Sequence, residues 1–504
     1  MKKALLTLTI PCLLTPAIAQ EYLNIKSYWY ASDIIPIELI DSITFCDINE
    51  NLLPVMMAKD DNIKLFNEAL RLTGMCDSLM DAYDKDFYYD KSLVNSFTGS
   101  SFSQTLQKLQ KGYTAFVETD ETYAQHDIYT IEDLKAYAAK VYNEVYPEDA
   151  GVTDPTDRRN SLNRFVSYHL LDRMGTTNNL TAYGISNDAA GEVMRKYAYN
   201  SMKIADWHET MMPHSLLKCL YNPFSGKIEL NSRYDNPNRG PKIVNLKDTI
   251  EYDYIGNAYN GYYHYISDIL TYDKETQKTI FDEEILVNNS TISPEFMNNG
   301  LRCNSFSTIN NEHSVFLPKG SLKNVYFNND DTQMFYLLKH SWANVQTDEF
   351  IITGLFDITF KLPPLPAGTY ELNLGYTASP IHPVVACYLD EELCATVDFS
   401  ILSDQLGWES DRDLDYDYEA IAENDLLLFK QGYRKGLNYC FAHDYTTRMR
   451  DYQICLRRII TTFTTDGKSD HYLRFKNVLP EDNREYFQID FLELCPTHLL
   501  KEYE

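Results

Sequence analysis

FDITFKLPPLPAGTYELNLGY, residues 356–376, is the stretch that decides the fold of the C-terminal half. On each side of its turn, PLPAG, apolar and polar residues alternate strictly, which is typical of β-strands that bury one face. Three later runs, VVACYL, HYLRFKNV and EYFQIDFLEL, are also short and strand-like. The pattern predicts an antiparallel, jelly-roll-like β-sandwich over residues 321–497.

Helical spacing of apolar residues characterises the preceding part of the chain. One helix is expected after Asp61, with Gly74 closing it, and another after Thr130, because Asp and Thr are good helix N-caps and Gly is a common terminator. A third is expected over 157–171. Helices followed by short strand-like runs are typical of an α+β domain.

Composition shifts divide the chain into regions. The α+β domain is expected over 49–285, and a short extended or strand-forming region over 20–48 precedes it. Residues 286–320 are rich in Asn and Ser and are the best candidate for a linker to the sandwich. The predicted fold class is therefore α+β followed by an antiparallel β-sandwich.

The N-terminus has the features of an export signal. Lys2 and Lys3 precede an apolar stretch and a small-x-small site, which predicts a signal peptide over 1–19. A lipoprotein signal acylated at Cys12 is the alternative, although Pro11 stands where a small residue is needed. No later stretch has the ~20 unbroken apolar residues of a membrane-spanning helix. We therefore expect export to the periplasm or the outer cell surface and no transmembrane helix.

Charge excludes one class of partner. The chain has 45 basic and 73 acidic residues and a formal net charge of −28. Such a chain repels phosphate backbones, so nucleic acid is not an expected partner.

The cysteines are sparse and favour free thiols over a dense disulfide framework. A two-residue turn at Asp390-Glu391 would place Cys387 opposite Cys394 and so invites a cross-strand disulfide. At a hydrogen-bonded pair of positions that bond would be strained, and free thiols in strands are the preferred interpretation.

Catalytic signatures are missing from the sequence. HExxH, CxxC, GxSxG and GxGxxG do not occur, and the abundance of carboxylates makes a glycosidase-like pair uninformative. The leading expectation is a protein without enzymatic activity, cofactor or metal site, and a secreted glycoside hydrolase is the weaker alternative.

The densest acidic run, ESDRDLDYDYE at 409–419, is the main ligand-binding candidate. Its alternating carboxylates could offer oxygens to a structural Ca²⁺, but it lacks the central glycine of an EF-hand loop, so a solvated loop is the simpler interpretation. Aromatic rings beside carboxylates also suit sugar faces and hydroxyl groups. The candidate residues are Trp408, Asp411, Asp413, Asp415, Tyr416 and Tyr418.

Four segments carry a family resemblance. MAKDDNIKLFNEALRLTGMCDSL, GYTAFVETDETY, SLNRFVSYHLL and NGYYHYISDIL resemble, in this order, the opening helix, first box, Tyr-His segment and second box of fasciclin (FAS1) domains. Glu118 stands where the family's first box has proline. The motif positions that match are Thr114, Phe116, Tyr168, His169, Asn260, Gly261 and His264.

The resemblance implies an α+β wedge used for adhesion, in which these motif residues are packed structural groups. The C-terminal half is similar to galactose-binding-like, carbohydrate-binding sandwiches, chiefly through PAGTYELNLGY and YFQIDFLEL. Together they imply a non-catalytic cell-envelope protein that binds a glycan or an envelope or host protein. A structural or docking subunit of an envelope complex is the alternative.

Overall fold

The computed structural model describes residues 22–25, 33–36, 48–90, 103–177, 179–181, 205–222, 225–232, 240–244, 258–302, 313–338, 344–438, 440–442, 445–479 and 486–500. The predicted signal peptide, including Cys12, lies outside these residues. Contacts divide the chain into two units, Met1–Glu50 and Asn51–Glu504. In the first unit, two short strands pair antiparallel.

The strands are named in chain order. They are β1 Tyr22–Ile25, β2 Asp33–Pro36, β3 Ser103–Thr105, β4 Tyr113–Glu118, β5 Leu170–Leu171, β6 Ala205–Glu209, β7 Leu216–Asn222, β8 Lys227–Leu230, β9 Gly261–Ile266, β10 Ile285–Asn288, β11 His313–Leu317, β12 Val325–Phe327, β13 Gln333–Leu338, β14 Asp348–Thr353, β15 Asp357–Lys361, β16 Gly368–Thr377, β17 Val384–Leu389, β18 Glu392–Asp398, β19 Tyr433–Lys435, β20 Cys440–Ala442, β21 Tyr445–Thr447, β22 Cys455–Thr465, β23 Tyr472–Asn477, β24 Phe487–Ile489 and β25 Phe491–Pro496.

The helices are named in the same way. They are α1 Leu53–Met57, α2 Lys64–Leu72, α3 Met75–Ser78, α4 Asp120–Ala124, α5 Ile131–Val145, α6 Ser161–Tyr168, α7 Lys274–Phe281, α8 Glu295–Asn298 and α9 Tyr418–Lys430. Within the part of the chain that the structure describes, none of them combines the length and apolar character needed to cross a membrane.

Within the described residues, the second unit has five sheets of three or more strands and one two-stranded sheet, β20 with β21. Sheet I has the order β10-β25-β16-β22-β19, sheet II β12-β15-β23-β17-β18, sheet III β24-β14-β13-β11-β3, sheet IV β5-β4-β9 and sheet V β6-β7-β8. Their pairings are antiparallel except for β3 with β11 and β4 with β9. The predicted combination of helices with several antiparallel sheets is confirmed.

The opening stretch of alternating residues forms strands, as expected, but its halves enter different sheets. β15 pairs with β12 and β23 in sheet II, whereas β16 pairs with β22 and β25 in sheet I. The PLPAG turn therefore crosses from one sheet to another. Buried rings join sheets II and III: Phe350 of β14 stacks on Phe360 of β15, and Phe487 of β24 packs on Phe475 of β23.

The predicted helix starts are correct in one case and wrong in another. Thr130 caps α5, and its hydroxyl and the Asp133 carboxylate form a reciprocal capping box. Asp61 does not cap α2, which begins at Lys64; the carboxylate of Asp120 accepts the Leu65 N–H instead, at 3.0 Å. That partner lies 55 residues away in sequence, so local pattern could not reveal it.

The interval 286–320, where the sequence indicates a linker, contributes strands to two sheets. β10 pairs with β25 in sheet I, and β11 pairs with both β13 and β3 in sheet III. Side chains reinforce the first pairing, since Asn289 donates to the carbonyls of Ile489 and Asp490 at 2.9 and 2.8 Å. Ladder hydrogen bonds thus join the two halves that the composition separates.

The Asp390-Glu391 turn forms as predicted, with φ of 49° and 69° at the two residues. A bulge after Cys387 then shifts the register, so that Cys387 lies opposite Ala395 and Cys394 is not its cross-strand partner. Both thiols are free, as the preferred interpretation expects.

A buried carboxyl group marks the junction of sheets I and III. Asp348, the first residue of β14, accepts hydrogen bonds from the Tyr336 hydroxyl at 2.7 Å and the Asn288 amide at 3.1 Å. Burial raises the pKa of Asp348 to about 7, although these hydrogen bonds and the charge of Arg302 oppose the rise.

Asp348 should make stability depend on pH. Because its folded pKa is raised, its carboxyl favours folding below the unfolded value of 3.8 and this contribution is lost as pH rises to about 7. Asp348→Asn should therefore gain up to about 4 kcal/mol relative to wild type between pH 4 and pH 8. Urea unfolding at a series of pH values measures this, and a difference that does not vary with pH would contradict it. Asp413→Asn, at an exposed carboxylate, is the control.

Candidate functional site

The acidic run 409–419 is attached to the protein through one buried carboxylate. Asp411 is fully buried, and it accepts hydrogen bonds from Lys435 at 3.0 Å, from Arg450 at 2.6 Å and from Arg448. Arg450 also binds Asp425 at 2.7 Å. The result is an ion cluster of three cations and two carboxylates beneath the loop, which we call the Asp411 cluster.

The electrostatics of the Asp411 cluster favour the ionised carboxylate. Burial alone would raise the pKa of Asp411, but the hydrogen bonds and charge of Arg450, joined by Lys435 and Arg448, outweigh it and lower the pKa to about 2. Burial lowers the pKa of Lys435, and Asp411 opposes that shift. Asp411 is thus committed to neighbouring cations rather than to a ligand.

The backbone of the loop is held in an uncommon conformation. Asp415 and Tyr416 both have positive φ, 52° and 56°, and the Tyr416 N–H donates to the Asp411 carbonyl at 2.9 Å. Asp417 accepts the Glu419 and Ala420 N–H groups and caps α9. The loop is therefore fixed at both ends.

The predicted ligand-binding residues separate into buried and exposed groups. Trp408 is only 9 % exposed and Asp411 is fully buried. Neither side chain therefore faces solvent, although the sequence predicts that both are available to a ligand. Tyr418, in contrast, is 90 % exposed, and Tyr416 is exposed beneath the Arg448 guanidinium at 5.0 Å. Asp413 and Asp415 are also exposed.

The structure does not gather the four aspartates into a calcium site. Asp411 binds cations, Asp417 caps a helix, and Asp413 and Asp415 lie on the surface. Among the described residues, no group of three or more His, Cys, Asp or Glu side chains is placed to hold a metal ion.

Sheet IV brings the two fasciclin-like boxes side by side. β4 and β9 pair in parallel, with Phe116 opposite His264, and their rings stack with centroids 5.9 Å apart. The Thr114 hydroxyl donates to the Arg173 carbonyl and accepts the Gly175 N–H, while His264 Nε2 donates to the Gly175 carbonyl at 2.7 Å. Burial lowers the pKa of His264, and this hydrogen bond opposes the shift. These motif side chains are buried, and they contact one another or nearby backbone groups.

Tyr168 and His169 are fully buried at the end of α6. The Tyr168 hydroxyl donates to the Leu216 carbonyl at 3.1 Å, and burial raises the pKa of Tyr168 well above its usual value. His169 Nδ1 donates to the Phe165 carbonyl at 2.7 Å, and Nε2 lies 2.8 Å from a Glu118 carboxylate oxygen. One proton must lie between Nε2 and Glu118, because both atoms otherwise act as acceptors.

The sequence marks Glu118 only as a departure from the proline of the first box. Its carboxylate is fully buried, and besides His169 it accepts the Tyr123 hydroxyl and the Leu270 N–H, both at 2.9 Å. The substitution that weakens the resemblance thus supplies the acceptor that connects α4, α6 and the second box.

Asn260 and Gly261 connect the second box to the first helices. Asn260 accepts the Leu53 N–H at 2.8 Å and donates to the carbonyls of Leu79 and Asp81. A Cβ at Gly261 would lie 2.2 Å from the Tyr113 carbonyl oxygen, so only glycine fits this close approach of β9 to β4.

A small pocket lies beside these motifs, near the start of α7. It has a volume of about 110 Å³ and is lined by polar groups that include Asn231, Asp273 and Thr276. Asn231 already donates to the Tyr168 hydroxyl, and Asp273 accepts the Thr276 N–H. The protein's own hydrogen bonds therefore already use Asn231 and Asp273.

The structure shows a second surface, which the sequence analysis did not identify. We call it the tyrosine face: the solvent side of sheet II, where Tyr326, Tyr388, Tyr472 and Arg474 lie together. Tyr326 and Tyr472 are 45 % and 36 % exposed, and their ring centroids lie 6.3 Å apart. The Arg474 guanidinium covers the half-buried Tyr388 ring at 5.2 Å.

Ion pairs fix the centre of the tyrosine face. Arg474 binds both carboxylate oxygens of Asp357 at 2.7 Å each, and Glu391 at 3.0 Å. Asn328 donates to Asp357 as well, at 2.8 Å. The bidentate geometry holds the planar guanidinium between the tyrosines.

A signal for this face was present in the run HYLRFKNV. Tyr472, Arg474 and Lys476 alternate with Leu473 and Phe475, so period-two spacing places the first three on one side of β23. Spacing alone could not show that β15 and β17 flank β23, or that β12 lies beyond β15.

No protein-family model matches the chain, and no curated protein matches it in sequence. The fasciclin-like and galactose-binding-like resemblances therefore depend on the quoted motifs and on where the structure places them.

The Asp411 cluster should be essential for stability. Asp411→Asn leaves buried cations without their central anion, which should cost about 3–5 kcal/mol in the free energy of unfolding. Asp413→Asn, whose side chain is 67 % exposed, should change it by less than about 0.5 kcal/mol. Urea unfolding at pH 7 compares the two, and equal effects would refute the assignment. Because the pKa of Asp411 is lowered, the deficit should shrink as pH falls from 3.8 to about 2.

Gly261 should be irreplaceable for a steric reason. In Gly261→Ala the new methyl group would overlap the backbone of β4, which cannot move without breaking sheet IV, so a loss of about 2 kcal/mol or more is expected. Gly151→Ala is the matched control, since its Cβ would meet nothing within 4 Å. Thermal unfolding of the two variants distinguishes them, and a Gly261→Ala protein as stable as Gly151→Ala would contradict the steric argument.

Proposed function

We propose that the protein is an exported, non-catalytic cell-envelope protein of fasciclin type that binds glycans. The observation that carries the proposal is the tyrosine face, where exposed rings lie beside hydrogen-bonding groups on a rigid sheet. Tyrosine presents an apolar ring for the faces of sugars and a hydroxyl for their polar edges, and it loses little conformational entropy on binding.

Fold and location are part of this proposal. The parallel pairing of the two box strands and the buried Tyr168 and His169 support a fasciclin-like wedge over 49–285. The antiparallel strands of sheets I and II, joined by the PLPAG crossover, support a jelly-roll-like sandwich over 321–497. The basic, apolar N-terminal 19 residues support export to the periplasm or outer surface.

The acidic loop supports a second candidate function, docking to an envelope protein. Tyr416 and Tyr418 are exposed on a loop that the Asp411 cluster holds in place, and exposed tyrosines on rigid elements are common anchors at protein interfaces. If the loop has this function, replacing both tyrosines should abolish binding to a partner protein and leave glycan binding unchanged.

A glycan panel with three variants tests the proposal. Tyr326→Ala/Tyr472→Ala should lower retention on the bound glycans by about tenfold or more, because it removes two exposed rings. Tyr129→Ala, at a tyrosine that is 67 % exposed in the other half of the chain, should bind as wild type. Loss of binding only in Tyr416→Ala/Tyr418→Ala would transfer the site to the acidic loop.

Two outcomes would overturn the proposal itself. The first is a wild-type protein that is retained on no glycan beyond the level of its denatured form. The second is release of reducing sugar from a bound polysaccharide, abolished by a single carboxylate substitution, which would make the protein a glycoside hydrolase.

A further inference from the structure

We propose that the tyrosine face binds an internal stretch of an uncharged, linear glycan that runs across the strands of sheet II. This inference depends on the proposed glycan-binding function and specifies its ligand. It follows from the strand register, the charge balance and the unused hydroxyl groups of the face.

Strand register arranges the face as a row. Residues directly opposite one another run from Tyr326 on β12 through Thr359, Arg474 and Tyr388 to Leu393 on β18. Neighbouring strands lie about 4.8 Å apart, so four intervals make a row about 19 Å long. This length is several times the width of one sugar ring, so the row matches an oligosaccharide rather than a monosaccharide.

The ends of the row are its most exposed points. Tyr326 is 45 % exposed and Leu393 is 58 % exposed, whereas Thr359, the neighbour of Tyr326, is buried and Arg474 and Tyr388 are half-buried. A chain lying along the row can therefore continue past both ends. Such a surface fits the interior of a polymer, in contrast to a pocket that encloses a chain end.

The charges of the face are balanced internally. Arg474 is paired with Asp357 and Glu391, Lys476 lies 3.9 Å from Asp357, and Lys361 lies 3.1 Å from Glu209. Each of these three cations therefore has a carboxylate within 4 Å. The net charge of −28 also repels polyanions, so uronate-rich or sulfated glycans are disfavoured.

Hydrogen-bonding groups remain available at the surface. Within the described part of the chain, the hydroxyls of Tyr326, Tyr388 and Tyr472 form no hydrogen bond. Each can donate to and accept from a sugar hydroxyl. Since Arg474 and Asp357 are already fixed, the face needs little ordering on binding, which favours affinity.

The same features argue against a protein ligand on this face. Protein interfaces usually gain specificity from complementary charges, and here each cation already has an intramolecular partner. Uncharged polyhydroxylated chains need only rings and hydroxyl groups, which are the groups that the face leaves free.

Isothermal titration of the full-length protein with neutral oligosaccharides of increasing length tests the inference. The probes are cello-, xylo- and manno-oligosaccharides from the monosaccharide to the hexasaccharide, with polygalacturonate as the charged comparison. At least one neutral series should bind with an affinity that rises about tenfold or more from disaccharide to hexasaccharide, and its monosaccharide should not compete. Polygalacturonate should not bind.

Variants on either side of Arg474 in the row locate the chain. Tyr326→Ala and Tyr388→Ala should each lower the hexasaccharide affinity by about tenfold, and Tyr129→Ala should leave it unchanged. Tyr326 is exposed, so its variant keeps the test valid if Tyr388→Ala unfolds, and thermal unfolding checks each protein. Reduction of the hexasaccharide end should not affect binding, because the interior of the chain is recognised.

The outcomes separate this inference from the proposed function. Binding with an affinity independent of length, competition by a monosaccharide, or preference for polygalacturonate would overturn the inference and leave glycan binding intact. Absence of binding to every glycan, on the panel and in titration, would overturn both.

Discussion

The pairing of β10 with β25 is the contact on which the rest of the second unit depends. It joins two segments that lie about 200 residues apart and makes β25 an interior strand, with β10 on one side and β16 on the other. Because β16 also carries β22, a chain without this pairing would leave the row of backbone groups on β25 open to solvent. Sheet III, which β3 enters through β11, ties the halves together a second time.

Buried charges in this protein are stabilised in different ways. The carboxylate of Asp411 is surrounded by cations and stays ionised, whereas that of Asp348 has only neutral hydrogen-bond donors and keeps its proton to a higher pH. The Glu118 carboxyl lies 2.8 Å from His169 Nε2 and also accepts two neutral donors. Asp348 and Asp411 are both buried, so their different neighbours determine the direction in which each pKa shifts.

Local periodicity predicted the helices and strands whose signals lie within a few residues of the sequence. The alternation in 356–376 located β15 and β16, and Thr130 located α5, because a capping box and a half-buried strand are encoded within a few residues. The interval 286–320 was interpreted as a linker because Asn and Ser are typical of loops. In the structure Asn288, Asn289 and Ser290 are buried, and Asn289 bonds to backbone far along the chain.

The candidate sites show the same limit of local sequence patterns. Nothing in the spacing of Trp408 and Asp411 distinguishes them from Tyr416, yet the first two are buried and the third is exposed. Which side of β23 faces solvent depends on sheet III packing behind sheet II, through contacts such as Phe487 with Phe475. Exposure is a tertiary property, and the sequence pattern could identify only the set of side chains that share a face.

The distance along the chain between β10 and β25 also bears on how the protein folds. Contacts between distant segments form slowly, because a long loop must close before the ladder hydrogen bonds can compensate for its lost entropy. During synthesis β10 emerges about 200 residues before β25, so sheet I cannot be completed until β25 has also been made. Any process that keeps β10 and β25 apart therefore also keeps sheet I open.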